Sequence, residues 1–319
     1  MKLLVTGGCG FIGSNFIHYW LKNHGGDEIV NLDKLTYAAD PSNLKGIDSS
    51  RYEFVKGDIA DASVVDPVVN DSDAVVNFAA ESHVDRSIVD SGAFIHSNIA
   101  GVHVLLEAAR RYDKRIHQVS TDEVYGTLSL DSDEKFTERS AYAPRNPYAA
   151  TKASADHLAR AYFNTHGVKV TISNCGNNMG PRQHEEKLIP KTIINAINGS
   201  RIPVYGNGMQ VRDWIHVDDH CSAIESILSD GVIGETYIIS AGYERRNIDV
   251  VKRILQELGV AESAVEHVED RPGHDIRYAL DSSKIRDALG WKPSLTFEEG
   301  LRKTIQWYKN RGGANGKNM

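Results

Sequence analysis

The 319-residue sequence predicts an α/β protein with a doubly wound parallel sheet and a smaller second lobe. Three observations carry that expectation. Short apolar runs alternate with amphipathic stretches through the first half, and a glycine series follows the first run directly. From about residue 174 the texture changes to loops rich in Gly, Asn, Pro and Arg. With 41% hydrophobic and 25% charged residues, most of the chain can bury a core and still shape a cleft, and only the tail Gly312–Met319 reads as frayed. No apolar run approaches the ~18–20 residues of a spanning helix, which argues against a membrane protein. The chain opens straight into Lys2–Val5 and glycines, which leaves no room for a signal peptide. A net charge of −7 with interspersed acids and bases argues against nucleic acid as the main partner. Cys9, Cys175 and Cys221 form no CxxC pair, so neither a disulfide framework nor structural zinc is expected, and a reducing cytoplasm fits.

Taken in order, Leu3–Val5, Ile29–Leu32, Phe54–Val55, Ala74–Phe78 and Ile116–Val119 read as buried strands. Between them lie helical patterns. The clearest runs from Phe94 to Ala109, where Ile95, Ile99, Val102, Leu105 and Leu106 recur near helical spacing. A long helix should start near Pro147, since Pro is tolerated in a first turn, and end at about Asn164. Lys169–Ser173 reads as a further strand. Beyond it, loops Asn174–Pro190, Pro203–Asp213 and Glu269–Arg277 separate the shorter helices Leu188–Asn198, Val250–Leu258 and Phe297–Tyr308. The expected division is residues 1–173 as one domain and 174–319 mainly as a lobe over the sheet's carboxyl edge, with some segments returning to the first.

Gly7, Gly10 and Gly13 form a GxxGxxG series between the first strand and a helix. Such glycines allow a tight turn, close backbone approach to a pyrophosphate, and packing of the helix on the strand. The helix N-terminus then presents free N–H groups to phosphates. The second strand ends in Asp33, twenty residues after Gly13, where a ribose-binding carboxylate belongs. A carboxylate there repels a 2′-phosphate, so the pattern predicts a Rossmann-like site for NAD rather than NADP.

Tyr148 and Lys152 form a YxxxK pair on one face of the expected long helix. A free tyrosine is a poor base at neutral pH, but a nearby ammonium and a positive nicotinamide favour its phenolate, which can then take a hydroxyl proton. Thr121, at the end of the preceding strand, can hydrogen-bond the same hydroxyl.

These motifs carry a resemblance. Gly7–Gly13, Asn77–Ile88, Ser120–Gly126 and the YxxxK pair together resemble the extended short-chain dehydrogenase/reductase family. Asp122–Glu123, Glu186–Pro190, Val204–Gly206, Val211–Trp214 and Asp270–Asp275 narrow it, and the chain is similar to dTDP-glucose 4,6-dehydratases from end to end. The resemblance implies an NAD-dependent hydro-lyase in which bound NAD transiently oxidises C4 of the sugar. A ketone at C4 acidifies the C5 proton. Glu123 is then the base at C5 and Asp122 the acid for the departing C6 hydroxyl, with Thr121, Tyr148 and Lys152 completing the catalytic set. Neighbouring residues on a strand point to opposite faces, so both carboxyls reach one sugar only if the chain has left the strand by Asp122. Two close carboxyls in a dry cleft do not both ionise easily, so one should hold a proton near neutral pH.

Carried over residue by residue, the resemblance places Gly7, Gly10, Phe11, Ile12, Gly13, Asp33, Lys34, Leu35, Thr36, Asp58, Ile59, Ala79, Ala80, Ser82, Ser97 and Asn178 on NAD, together with Tyr148 and Lys152. It places His83, Thr121, Asn177, Lys187, Leu188, Pro203, Tyr205, Arg212, Asn247, Arg271 and His274 on the nucleoside-diphosphate sugar. Lys187, Arg212 and Arg271 suit a diphosphate clamp. A cytoplasmic homodimer through the helices Phe94–Ala109 and Tyr148–Asn164 is also implied. Other readings on the same scaffold are a UDP-sugar 4,6-dehydratase or a 4-epimerase, and a more distant one is an inactive NAD-sensing module. One segment departs from the family. Asn174–Glu185 lacks two aromatics and gains Arg182 and His184, which are expected beside the substrate. His216 and His220 stand at i, i+4 beside carboxylates, a metal-like spacing, but this chemistry needs no metal and none is expected. Cys9, where the family often has alanine, reads as a small packed thiol.

Overall fold

The computed structural model describes residues 1–315, with side chains as far as Arg311. The first half contributes β1 (Lys2–Thr6), β2 (Glu28–Asp33), β3 (Tyr52–Lys56), β4 (Ala74–Asn77), β5 (Arg115–Thr121) and β6 (Val170–Cys175). The second contributes β7 (Asn177–Met179), β8 (Ile202–Tyr205), β9 (Val211–His216), β10 (Thr236–Ile239), β11 (Tyr243–Arg246) and β12 (Val265–Val268). Seven strands form one sheet in the order β10-β6-β5-β4-β1-β2-β3. Each adjacent pair is parallel. Its central strands are buried on both faces, which is why they read as unbroken apolar runs. The chain winds outward from β1 in both directions, and the crevice outside the carboxyl ends of β1 and β4 lies at that switch point.

Several elements differ from expectation. β3 is an edge strand rather than a buried one, and Phe54 is 40% exposed. β10 comes from the second half and adds a seventh strand beside β6. Stretches read as loops contain β7, β8 and β9, which pair in two small sheets, β11-β9-β7 and β12-β8. The helical run over Phe94–Ala109 is present, from Gly92 to Arg111, but its His96–Gly101 portion is π-helical. There Asn98 exchanges hydrogen bonds with the Glu81 backbone (2.9 and 3.0 Å) and donates to Thr151 at 2.9 Å, so tertiary bonding sets the local winding. The last helix runs Phe297–Asn315, so the first residues of the tail expected to fray continue it, and 316–319 lie outside the described residues.

Two junctions position the site. The helix Pro147–His166 begins where Asn146 Oδ1 accepts from the Ala149 N–H at 2.8 Å, with Pro147 in the first turn. It ends at Gly167, whose φ of 69° is the left-handed closing conformation. β5 ends at Thr121, and the chain turns at once into a 3₁₀ helix, Asp122–Tyr125. Thr121 caps that turn, its hydroxyl accepting from the Glu123 N–H at 3.3 Å.

Candidate active site

A cleft of about 680 Å³ opens along the carboxyl ends of the main sheet and under the second lobe. At its start, Gly7 has a φ of 68°, and a Cβ there would lie 2.7 Å from the Ala79 nitrogen. A Cβ on Gly13 would lie 2.4 Å from the Gly7 carbonyl oxygen, so the first turn of helix Phe11–Asn23 packs on the loop with no side chain between. Gly10 at the N-cap supplies no side-chain cap, which leaves the first N–H groups open toward the cleft. Beneath the loop, Asn31 Oδ1 accepts from the Gly8 N–H at 3.0 Å. Asp33, 7% exposed, accepts from the N–H groups of Cys9 at 2.9 Å and Leu35 at 2.8 Å. Burial raises the Asp33 carboxyl above its ordinary range, and those two bonds oppose the rise. This open helix start, with an acid one strand away, fits a dinucleotide.

Every residue expected on the cofactor lines the cleft except Leu35. With a φ of 60°, Leu35 gives its backbone N–H to Asp33 while its side chain packs against the core. Further along, Asp58 holds Lys34 at 2.6 Å and His96 at 2.8 Å. Burial works to raise the Asp58 carboxyl, yet Lys34, the Ala60 N–H and His96 together bring it down to about 2. Asn178 is fixed from behind by the His220 ring at 3.0 Å.

Thr121, Asp122, Glu123, Tyr148 and Lys152 all reach one stretch of this cleft. Asp122 is 2% exposed. Its Oδ1 accepts from the Thr121 hydroxyl at 3.1 Å, and its Oδ2 makes no hydrogen bond among the described residues. Burial first, and the Glu123 charge second, push the Asp122 carboxyl well above the carboxylate range. Glu123 is also raised by burial, but Lys187, Arg212 and the Asn146 amide at 3.3 Å favour its charged form. The two environments therefore differ: burial and the neighbouring carboxyl press a proton onto Asp122, whereas on Glu123 two cations and an amide oppose the same rise. Burial, then the Glu123 charge, pushes the Tyr148 phenol well above its usual value. Lys152 donates to the Val119 carbonyl at 2.7 Å.

The residues expected on the substrate all line the same cleft. Lys187 reaches the Ser82 carbonyl at 3.0 Å. Arg212, 7% exposed, donates to the carbonyls of Val211 and Asp275 and stacks on Tyr278. Arg271 lies over the Tyr205 ring and 3.4 Å from Asp85, which also accepts from the Tyr205 hydroxyl at 3.1 Å. Asn177 Oδ1 and Asn247 Oδ1 are buried without a partner, as suits a wall that meets a hydroxyl-rich ligand. His184 lies on the wall, edge-on to Tyr37 at 5.6 Å. Arg182 does not. Its left-handed backbone (φ 68°) turns it to Asn15 at 2.8 Å and to the Asn43 carbonyl, away from the cleft. Asn146 and Tyr278 also line the cleft with no motif or periodicity in the sequence to mark them, and so do Glu186 and Asp275, which end two of the motifs that carry the resemblance. His216 and Asp219 are spent on local structure, His216 as a helix cap and Asp219 on Ser294 and Leu295. Cys9 is packed as expected, and burial pushes its thiol up to about 12.

The chain matches the model of the GDP-mannose 4,6 dehydratase family over residues 4–304 and belongs to that family. More particularly, it is 52% identical over 310 residues to the dTDP-glucose 4,6-dehydratase of Mycolicibacterium smegmatis, covering 97% of this chain and 93% of that one. Its structure is similar to DesIV, the dTDP-glucose 4,6-dehydratase of Streptomyces venezuelae solved with NAD and TYD bound, at a TM-score of 0.95 and 45% identity over 98% of each chain. A UDP-glucose 4-epimerase of Thermus thermophilus, in complex with NAD, shares the fold at a TM-score of 0.89 and 28% identity, over 97% of this chain and 99% of that one.

Proposed function

We propose that this chain is an NAD-dependent hydro-lyase that converts dTDP-glucose to dTDP-4-keto-6-deoxy-glucose. The observation that carries this reading is the strand end at Thr121, where the 3₁₀ turn brings Asp122 and Glu123 into the same cleft as Tyr148 and Lys152. Oxidation and epimerisation at C4 need the tyrosine and lysine, whereas loss of water across C5 and C6 needs the carboxyl pair as well. NAD, which the glycine loop and Asp33 would hold, would supply the acceptor for the C4 hydride and its return at C6. Tyr148 takes the C4 hydroxyl proton, with Thr121 holding that oxygen. Glu123 removes the C5 proton, and Asp122 protonates the C6 hydroxyl as it departs as water. Glu123 then returns a proton to C5. The balance is the loss of one water, with Tyr148 gaining the proton that Asp122 gives up.

Lys187, Arg212 and Arg271 serve as the diphosphate clamp, a role supported by their convergence on one end of the cleft. Residues 1–173 form the cofactor-binding part and 174–319 mainly the substrate lobe. A homodimer through the helices Phe94–Ala109 and Tyr148–Asn164 belongs to the same reading. Cytoplasmic residence is supported by three buried cysteines that remain free thiols. The test is incubation of the NAD-loaded protein with dTDP-glucose and with UDP-glucose, followed by mass analysis. Loss of 18 mass units, one water, from the dTDP sugar is expected (~10²-fold faster than from the UDP sugar). A C4-epimerised product of unchanged mass would replace the dehydratase by the epimerase reading.

A further inference from the structure

Tyr148, Lys152 and Asp156 follow one another at four-residue intervals on the helix Pro147–His166, and all three are buried on its inner face. Asp156 is fully buried, yet its two oxygens are used unequally. Oδ2 accepts from the Tyr142 hydroxyl at 2.9 Å and from Asn174 Nδ2 at 3.1 Å. Among the described residues Oδ1 makes no hydrogen bond of full geometry, and neither does the buried Ser120 hydroxyl, which lies close enough to act on this carboxylate. A bare carboxylate oxygen between helix and sheet is costly unless a positive charge faces it. Lys152, one turn earlier and 5% exposed, has the matching need, because its amine makes a single hydrogen bond, to the neutral Val119 carbonyl. Burial works against the Lys152 charge; the largest effect in its favour is Asp156, followed by the Cys175 thiol.

The remaining groups around Asp156 come from three elements. On the same helix, Arg160 donates to the Tyr142 hydroxyl at 2.7 Å and lies over its ring. From β6, Asn174 donates both to Asp156 and to the Thr121 carbonyl at 3.2 Å, which ties the carboxylate to the end of the catalytic strand. Burial pushes the Asp156 carboxyl up, while Lys152, Ser120, Tyr142 and Arg160 favour its charge. The largest influences on Tyr148 are burial, then Glu123, Cys175, Asp122 and Thr121, and none of these is a cation. A positive charge beside the phenol has to come from Lys152, one turn along the helix, or from the bound cofactor.

We propose that Asp156 is a positioning residue for the dehydratase reaction: its carboxylate keeps Lys152 protonated and thereby sets the pH at which Tyr148 gives up its proton. This rests on the reading of Tyr148 and Lys152 given above. Removal of the negative charge lets Lys152 lose its proton at lower pH. The phenolate then loses one of its cationic neighbours, and Tyr148 ionises at higher pH.

The test compares NAD-loaded unmutated protein with Asp156→Asn, which keeps the size and can still accept from Tyr142 and Asn174. The acid limb of kcat/KM for dTDP-glucose should move upward by about one pH unit, a loss of about tenfold on that limb. Asp156→Ser, a second neutral variant with room for water, should shift the same way, and Asp156→Glu should move the limb back. A second readout needs no turnover. The ultraviolet difference absorbance of the Tyr148 phenolate, read against Tyr148→Phe in each background, should titrate at higher pH in the neutral variants. A rate lowered equally at every pH, with the limb and the phenolate titration unmoved and no recovery in Asp156→Glu, would reduce Asp156 to packing and overturn the proposal. If the unmutated protein leaves dTDP-glucose intact, the dehydratase reading fails by itself, and the phenolate titration still decides the role of Asp156.

Discussion

Asp122 and Glu123 are chemically near-identical neighbours, and the proposed mechanism gives them opposite work in surroundings that differ. Asp122 lies deep with one oxygen unpartnered, while Glu123 faces two cations and an amide. Glutamine at 123 keeps the volume and cannot accept the proton. In Glu123→Gln, loss of water and exchange of the C5 hydrogen with solvent deuterium should both slow by ~10²–10⁴, since that is what a general base typically contributes. Asp122→Asn should slow water loss while C5 exchange continues, and mass spectrometry in deuterium oxide reads both quantities. If Glu123→Gln instead gives C5-deuterated product at the unmutated rate, the base is another residue.

The capped start of helix Pro147–His166 links fold to chemistry, because Asn146 satisfies the helix through Oδ1 and Glu123 through Nδ2. Asn146→Ser keeps a cap and loses the reach to Glu123, whereas Asn146→Ala loses both. Thermal unfolding should show Asn146→Ala weakened by about 1 kcal/mol and Asn146→Ser close to the unmutated protein. In both, the pH at which C5 exchange begins should rise, because Glu123 has lost a group that favours its charge. That helix was legible in advance: Pro147 marks its start, and its spacing places Tyr148 and Lys152 together. β1, β2 and β4 were legible for a related reason, since strands covered on both faces need runs of Val, Ile and Leu. β7 and β9 were not, because they hold Arg212, Asp213 and asparagines in buried positions and owe their pairing to distant partners. The departure of Arg182 from the cleft was invisible for another reason. A backbone φ of 68° decides where its side chain points, and nothing in the residue type announces that conformation.

Across the whole molecule, the sheet carries an acid-sensitive group. His117, fully buried on β5 between the hydroxyls of Thr171 and Ser173, is held neutral, with its value pushed down to about 3 by burial and then by Arg115. An unfolded histidine titrates near 6.5, so the folded state binds fewer protons, and this contribution is lost as pH falls from 6.5 toward 3. Asp213, raised to about 6 by burial, acts in the opposite sense: its contribution is present below its unfolded value and is lost as pH rises through about 6. His117→Gln cancels Asp213 from the comparison. In urea unfolding, the stability of the unmutated protein relative to His117→Gln should fall by about 2 kcal/mol between pH 6.5 and pH 5, and a constant difference would show that His117 is not buried neutral.

The largest-scale consequence comes from β10, the strand that closes the sheet beside β6. About sixty residues separate the end of β6 from the start of β10. At a synthesis rate of ~5–20 residues per second, the nascent chain presents β6 as an open edge for roughly 3–12 s before its partner has been made. During that interval the unfinished sheet has a free pairing face, and a chaperone, a neighbouring nascent chain on the same message, or the lobe's own early strands compete for it.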